Sequence, residues 1–104
     1  MHYVLLGEHS PEICPTSNSR TRQLLLDTAA DIPKIAEKCG VSILSGPWVN
    51  RQHTTVVVVE AGSSEDLDRF LVESRLPQWN SVRILPSLHL QEGIQDVQTS
   101  ASLF

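Results

Sequence analysis

An α+β fold with the order strand-helix-strand-strand-helix-strand is what this sequence predicts, and three observations carry it. The first is the run Thr54-Thr55-Val56-Val57-Val58-Val59-Glu60-Ala61. Four consecutive valines between threonines form a β-strand that must be covered on both faces. The second is its place in mid-chain, with a helical segment and a shorter apolar run on each side. The third is the short Asn50-Arg51-Gln52 connection, which makes the second and third strands a hairpin. The expected result is one four-stranded antiparallel sheet with two helices on one face.

Each element has its own signal. Tyr3 to Glu8 is a short apolar first strand. Ser10-Pro11-Glu12-Ile13-Cys14-Pro15-Thr16 is a loop, because two prolines fit neither a ladder nor a helix. Ser17 or Asn18 then caps the first helix, whose buried face is Leu25, Ala29, Ile32 and Ala36. Pro33 predicts a kink or a restart in that helix, and Gly40 a left-handed stop. Val41 to Leu44 is the second strand, bent or ended by Gly46-Pro47. Gly62-Ser63-Ser64 ends the third strand, and Ser63 with Asp66 resembles a capping box. Leu67, Phe70, Leu71 and Ser74 face inward on the second helix, which Pro77 ends. Val82 to Leu85 is the last strand. The segment 90–104 reads as an arm or a short docked helix, with Leu103-Phe104 as a possible anchor.

A length of 104 residues is one domain, residues 1–104. A net charge of −4 with scattered Lys and Arg argues against nucleic acid. No apolar run approaches the roughly 20 residues that span a bilayer, so no membrane role is expected. The N-terminus has no basic leader, and the expectation is a cytoplasmic protein. Cys14 and Cys39 fit no metal-finger or redox spacing, so both are expected as free thiols.

The valine strand is apolar on both sides, whereas a half-exposed sheet alternates apolar with polar. The helix-free face is therefore expected to be buried by the same face of a second subunit, giving a homodimer. A charge at Val57 or Val59, whichever faces away from the helices, is expected to separate the subunits. The strand order is the ferredoxin-like βαββαβ plan, and the paired form is the dimeric α/β barrel. The stretches Ala36 to Trp48, Thr55 to Ala61 and Asn80 to Leu88 resemble the GYD-type and neighbouring uncharacterised families of that superfamily. The resemblance is one of fold pattern. It departs at the namesake Gly-Tyr-Asp, where this chain has Asn50-Arg51-Gln52-His53. It implies a range of activities, among them cofactor-independent oxygenases and isomerases, so the fold does not select one.

Antiparallel pairing gathers the ends of strands one and two with the starts of strands three and four. That brings together His9 and His53 as candidate acid-base residues, histidine titrating near neutrality. Glu8, Trp48, Trp79 and Asn80 are candidate ligand-binding residues around them. Aromatic walls with a few polar groups favour a small apolar or aromatic molecule. No cofactor is called for. The alternative is a transition-metal site from His9, His53 and Cys14, whose donors suit zinc, copper or nickel. Arg20 and Arg22 stand near a helix N-terminus that disfavours cations, a hint of a nearby anion. The Ser10 to Thr16 loop is expected to be ordered over the pocket mouth.

Overall fold

The structure, a computed structural model, describes residues 1–101. Its elements are β1 (His2–Glu8), α1 (Ser19–Ala29), α2 (Ile32–Lys38), β2 (Val41–Val49), β3 (Thr54–Ala61), α3 (Ser64–Ser74), a 3-10 turn (Leu76–Gln78), β4 (Ser81–Ser87) and α4 (Leu90–Thr99). All strand pairs are antiparallel and the sheet order is β2-β3-β1-β4. This is the α+β class, with a sheet compatible with the ferredoxin-like plan.

The first predicted helix is two helices. The chain breaks after Ala29, and α2 restarts at Ile32 with Pro33 in its first turn, where a missing N–H costs nothing. Asn18 caps α1, its Oδ1 accepting from Arg20 N and Thr21 N, both at 3.0 Å. Ser63 caps α3 by accepting from Asp66 N at 3.2 Å. That helix ends at Arg75, in the left-handed region at φ 61°, and Pro77 belongs to the 3-10 turn that follows.

The second strand is longer than its apolar run. β2 stays paired with β3 through Val49, with register shifts between Ile43 and Ser45 and between Ser45 and Trp48. Gly46 permits this bend: its φ is +87°, and a Cβ there would stand 2.6 Å from Val56 O.

The core lies between one sheet face and the helices. Tyr3, Leu5, Val57, Val59 and Ala61 from the sheet meet Ile32, Ala36, Leu67, Phe70 and Leu71. Val57 and Val59 are 3 % and 0 % exposed, so they face the helices. The valines facing away are Val56 and Val58. The charge substitution foreseen at Val57 or Val59 therefore belongs at those positions. On that helix-free face Val58 pairs with Val4, which pairs with Leu85, and Val56 pairs with Leu6.

The C-terminal segment forms α4 and buries none of its residues; Leu90 and Val97 are exposed. Leu103 and Phe104 lie outside the described residues. Among the described residues no helix is long and apolar enough to cross a membrane.

Candidate functional site

Strand register decides which face the two histidines share. Glu8 is the last β1 residue opposite β3, across from Thr54. The pairing then continues one step, with His9 N donating to His53 O at 3.1 Å. His9 follows Leu5 and Gly7 at alternate positions, and His53 precedes Thr55. Alternation puts His9 on the helix-covered face, and ring contact puts His53, left-handed and just outside the strand, on the same side. Their rings meet edge to face, with centroids 5.5 Å apart.

The β2–β3 turn sets the second imidazole. Asn50 Oδ1 accepts from Gln52 N at 2.9 Å and Asn50 Nδ2 donates to Thr54 Oγ1 at 2.6 Å. His53 closes the turn at φ 61°. Such hairpins end on a left-handed residue that is usually glycine. Histidine adopts this region more readily than most residues, yet at a cost relative to glycine. His53 Nδ1 is buried and has no hydrogen-bond partner among the described residues.

The loop before α1 returns Cys14 to the same place. Ile13 N and Cys14 N donate to Ser10 O, and Ser17 N and Asn18 N donate to Cys14 O. The same Asn18 that caps α1 donates from Nδ2 to Glu12 O at 3.1 Å. Arg22 reaches back to Pro15 O at 2.9 Å and Thr16 O at 3.0 Å. Two loop carbonyls thus occupy Arg22, one of the two cations that had hinted at an anion. These bonds tie the loop down and bury Cys14, which is 9 % exposed. One nitrogen from each of His9 and His53 and the Cys14 sulfur lie within 4.8 Å of one another.

Asn80 fixes the first imidazole. It is 5 % exposed, and its Nδ2 donates to Leu76 O at 3.2 Å. Only an amide N–H can donate to a carbonyl, so Oδ1 is the atom turned to His9 Nδ1, at 3.0 Å. Oδ1 accepts only, so His9 Nδ1 carries the proton. In the neutral ring Nε2 then keeps its lone pair. Gly7 makes room for this amide: a Cβ there would stand 3.0 Å from Asn80 Cγ and Oδ1. Trp79 packs on the His9 ring at a centroid distance of 5.0 Å.

The surroundings lower the Cys14 pKa from 9.0 to about 6. The Thr16 side chain, 3.1 Å from the sulfur, contributes most, followed by the Thr16 backbone, His9 and, least, His53; burial opposes them. Cys39 behaves in the opposite way. Burial and the Glu73 carboxylate, which its thiol contacts at 3.3 Å, raise its pKa and keep it a thiol.

The remaining expected site residues sit as follows. Glu8 is exposed at the end of β1. Trp48 is 63 % exposed on β2, opposite Val56, and donates from its indole to Ser45 Oγ at 2.9 Å. A cavity of about 810 Å³ opens beside the edge strand β2, lined by Leu25, Ile32, Pro33, Glu37, Ile43 and Pro47, away from the imidazole pair. Thr16 and Gly7 carry no motif in the sequence; only their contacts to Cys14 and Asn80 mark them. No protein-family model matches the chain, and no curated protein matches it.

Proposed function

We propose that the end of the sheet at Cys14, His9 and Asn80 is a thiolate-imidazole centre that acts on a small electrophilic molecule of the activated acyl class. The observation that supports it most is the buried Asn80 amide, which gives His9 one tautomer beside a nucleophilic sulfur. The arrangement is the general nucleophile-base-orienter logic, with Asn80 as orienter. Cys14 S⁻ adds to the carbonyl carbon and the bond to the leaving group breaks. The proton the leaving group needs is the one His9 Nε2 took from the Cys14 thiol when the thiolate formed. Water then cleaves the thioester, with His9 Nε2 taking its proton as base. Thr16 donates its hydroxyl to the sulfur in the resting thiolate. This reading keeps His9 as the acid-base residue and moves the nucleophile to Cys14. Asn80 becomes a positioning residue.

The test uses p-nitrophenyl acetate with the full chain in the presence of a chelator. Intact-mass and peptide analysis are expected to find acetyl on Cys14 and none on Cys39. Cys14→Ser abolishes that adduct. Asn80→Ala lowers the rate by about tenfold or more and shifts its pH profile. Acetylation of Cys14 no faster than of Cys39 overturns the reading.

The helix-free face supports a second proposal, that the domain works as a homodimer of the dimeric α/β-barrel kind. Val4, Leu6, Val56, Val58 and Leu85 lie side by side across three strands on the face away from the core, with Arg83 opposite Leu6 at one edge. A two-fold axis would bury these side chains of each copy against those of the other.

A further inference from the structure

The proposed reaction gives His53 no proton to move, yet His53 is held in an unfavourable place. Its backbone is left-handed at φ 61°, and its Nδ1 is buried with no hydrogen-bond partner among the described residues. A buried imidazole nitrogen without a partner has lost its hydration with nothing in return. The turn would be easier with glycine or asparagine. A ligand on Nδ1 accounts for both features.

The other two donors point to what that ligand is. His9 has its Nδ1 proton committed to Asn80 Oδ1 at 3.0 Å, which leaves Nε2 as the free donor. An imidazole held through its other nitrogen is the usual arrangement at a metal ligand. Cys14 supplies a sulfur whose neighbour Thr16 Oγ1 stands at 3.1 Å. One ring nitrogen of each histidine and the Cys14 sulfur lie within 4.8 Å of one another. A tetrahedral zinc ion, with bonds of about 2.0–2.3 Å, sets its ligands about 3.3–3.8 Å apart. The cluster therefore needs to contract by about 1 Å, a side-chain adjustment. Two imidazoles and a thiolate exclude magnesium and calcium, which take oxygen ligands. They suit zinc or its neighbours, and three ligands leave a fourth position open.

We propose that His9, Cys14 and His53 bind one zinc-type divalent ion, and that the bound ion switches the thiol centre off. The masking rests on the thiolate reading above; the ion site does not. Zinc takes the sulfur lone pair for the nucleophile and the His9 Nε2 lone pair for the base, so metal and acyl substrate exclude each other. Removal of zinc frees both groups together. In the ion-bound state the fourth ligand is water or a small anion.

Cobalt(II) is the probe, added to chelator-treated full chain and followed by visible and near-ultraviolet absorption. One cobalt per chain is expected, with tetrahedral bands and a sulfur-to-cobalt charge-transfer band that zinc bleaches. Cys14→Ser removes the charge-transfer band. His53→Asn suits the left-handed turn and is expected to stay folded, with affinity at least about tenfold weaker. Saturating zinc slows Cys14 alkylation by iodoacetamide more than about tenfold, while denatured protein shows no such protection. Cobalt that gives only octahedral bands, or that binds His53→Asn as tightly, overturns the site. If cobalt fails to bind while Cys14 is still acetylated, the metal inference falls and the thiol reading stands. If cobalt binds with the full signature and Cys14 is never acetylated, the site stands; the thiol reading and the masking fall.

Discussion

Cys14 and Cys39 are both buried thiols in one small domain, yet their neighbours drive them in opposite directions. Hydroxyl, backbone and imidazole partners stabilise the Cys14 thiolate, whereas burial and then the Glu73 carboxylate hold the proton on Cys39. At pH 7 a pKa of about 6 in place of 9.0 gives roughly ninetyfold more thiolate. A less basic sulfur is also a weaker nucleophile. Three units at a Brønsted slope of about 0.45 remove roughly twentyfold, so the net gain is only about fourfold. Profile shape is therefore a better readout than rate. In chelator, Cys14 alkylation is expected to rise with a midpoint near pH 6 and level off, while Cys39 still climbs above pH 9. A Cys14 profile that climbs with Cys39 would contradict the contacts described. The same shift has a stability consequence. Between about pH 6 and 9 the unfolded chain binds a proton that the folded chain does not. Stability from Cys14 is thus full above 9 and is lost as pH falls towards 6.

The elements around the site share residues with it. Asn18 caps α1 through its oxygen and ties the Cys14 loop to Glu12 through its nitrogen. One side chain so joins helix start to loop path. Asn18→Ala is expected to cost about 1–2 kcal/mol of stability, and to raise Cys14 accessibility before global unfolding. Hydrogen exchange at Ile13, Cys14 and Thr21 amides measures both. Equal loss of protection at Phe70, in the core, would show global destabilisation with no local link. The hairpin between β2 and β3 makes a similar connection. Its Asn50 turn is an ordinary structural device, but the residue that closes it is also a site residue.

At the scale of the whole molecule, the sheet separates two surfaces. One face carries the core; the other carries Val4, Leu6, Val56, Val58 and Leu85 in cross-strand rows. These side chains are half-buried and adjoin one another across three strands, so they form contiguous rows and not scattered surface residues, with exposed Arg83 opposite Leu6 at one edge. Val58→Glu places a charge among these rows without touching the helix side. The unmodified chain is expected to scatter light as a dimer, and Val58→Glu as a folded monomer. A monomeric unmodified chain ends the dimer proposal. α4, with Leu90 and Val97 exposed, stands off the core and adds to the apolar surface outside it.

What the residues determined alone was everything with a short-range cause. The valine run, the Asn18 and Ser63 caps, the Pro33 restart and the Gly40 stop were legible because each depends on neighbours a few positions away. The gathering of His9, His53, Trp79 and Asn80 at one sheet end followed from antiparallel order. Register did not. It took the His9–His53 backbone bond to put both rings on one face, since a slip of one residue would have opposed them. Length of β2 was hidden too, because its paired part runs through Gly46 and Pro47, which read as an end. Above all, Cys14 read as a free loop thiol or an alternative metal ligand, and Asn80 as a ligand-binding candidate, neither as part of a nucleophile and its orienter. Their chemistry depends on Thr16, Leu76 and Gly7, and on distances that pairing across 71 positions sets between His9 and Asn80. A pKa and a tautomer are properties of a surrounding, and tertiary packing is what supplies it.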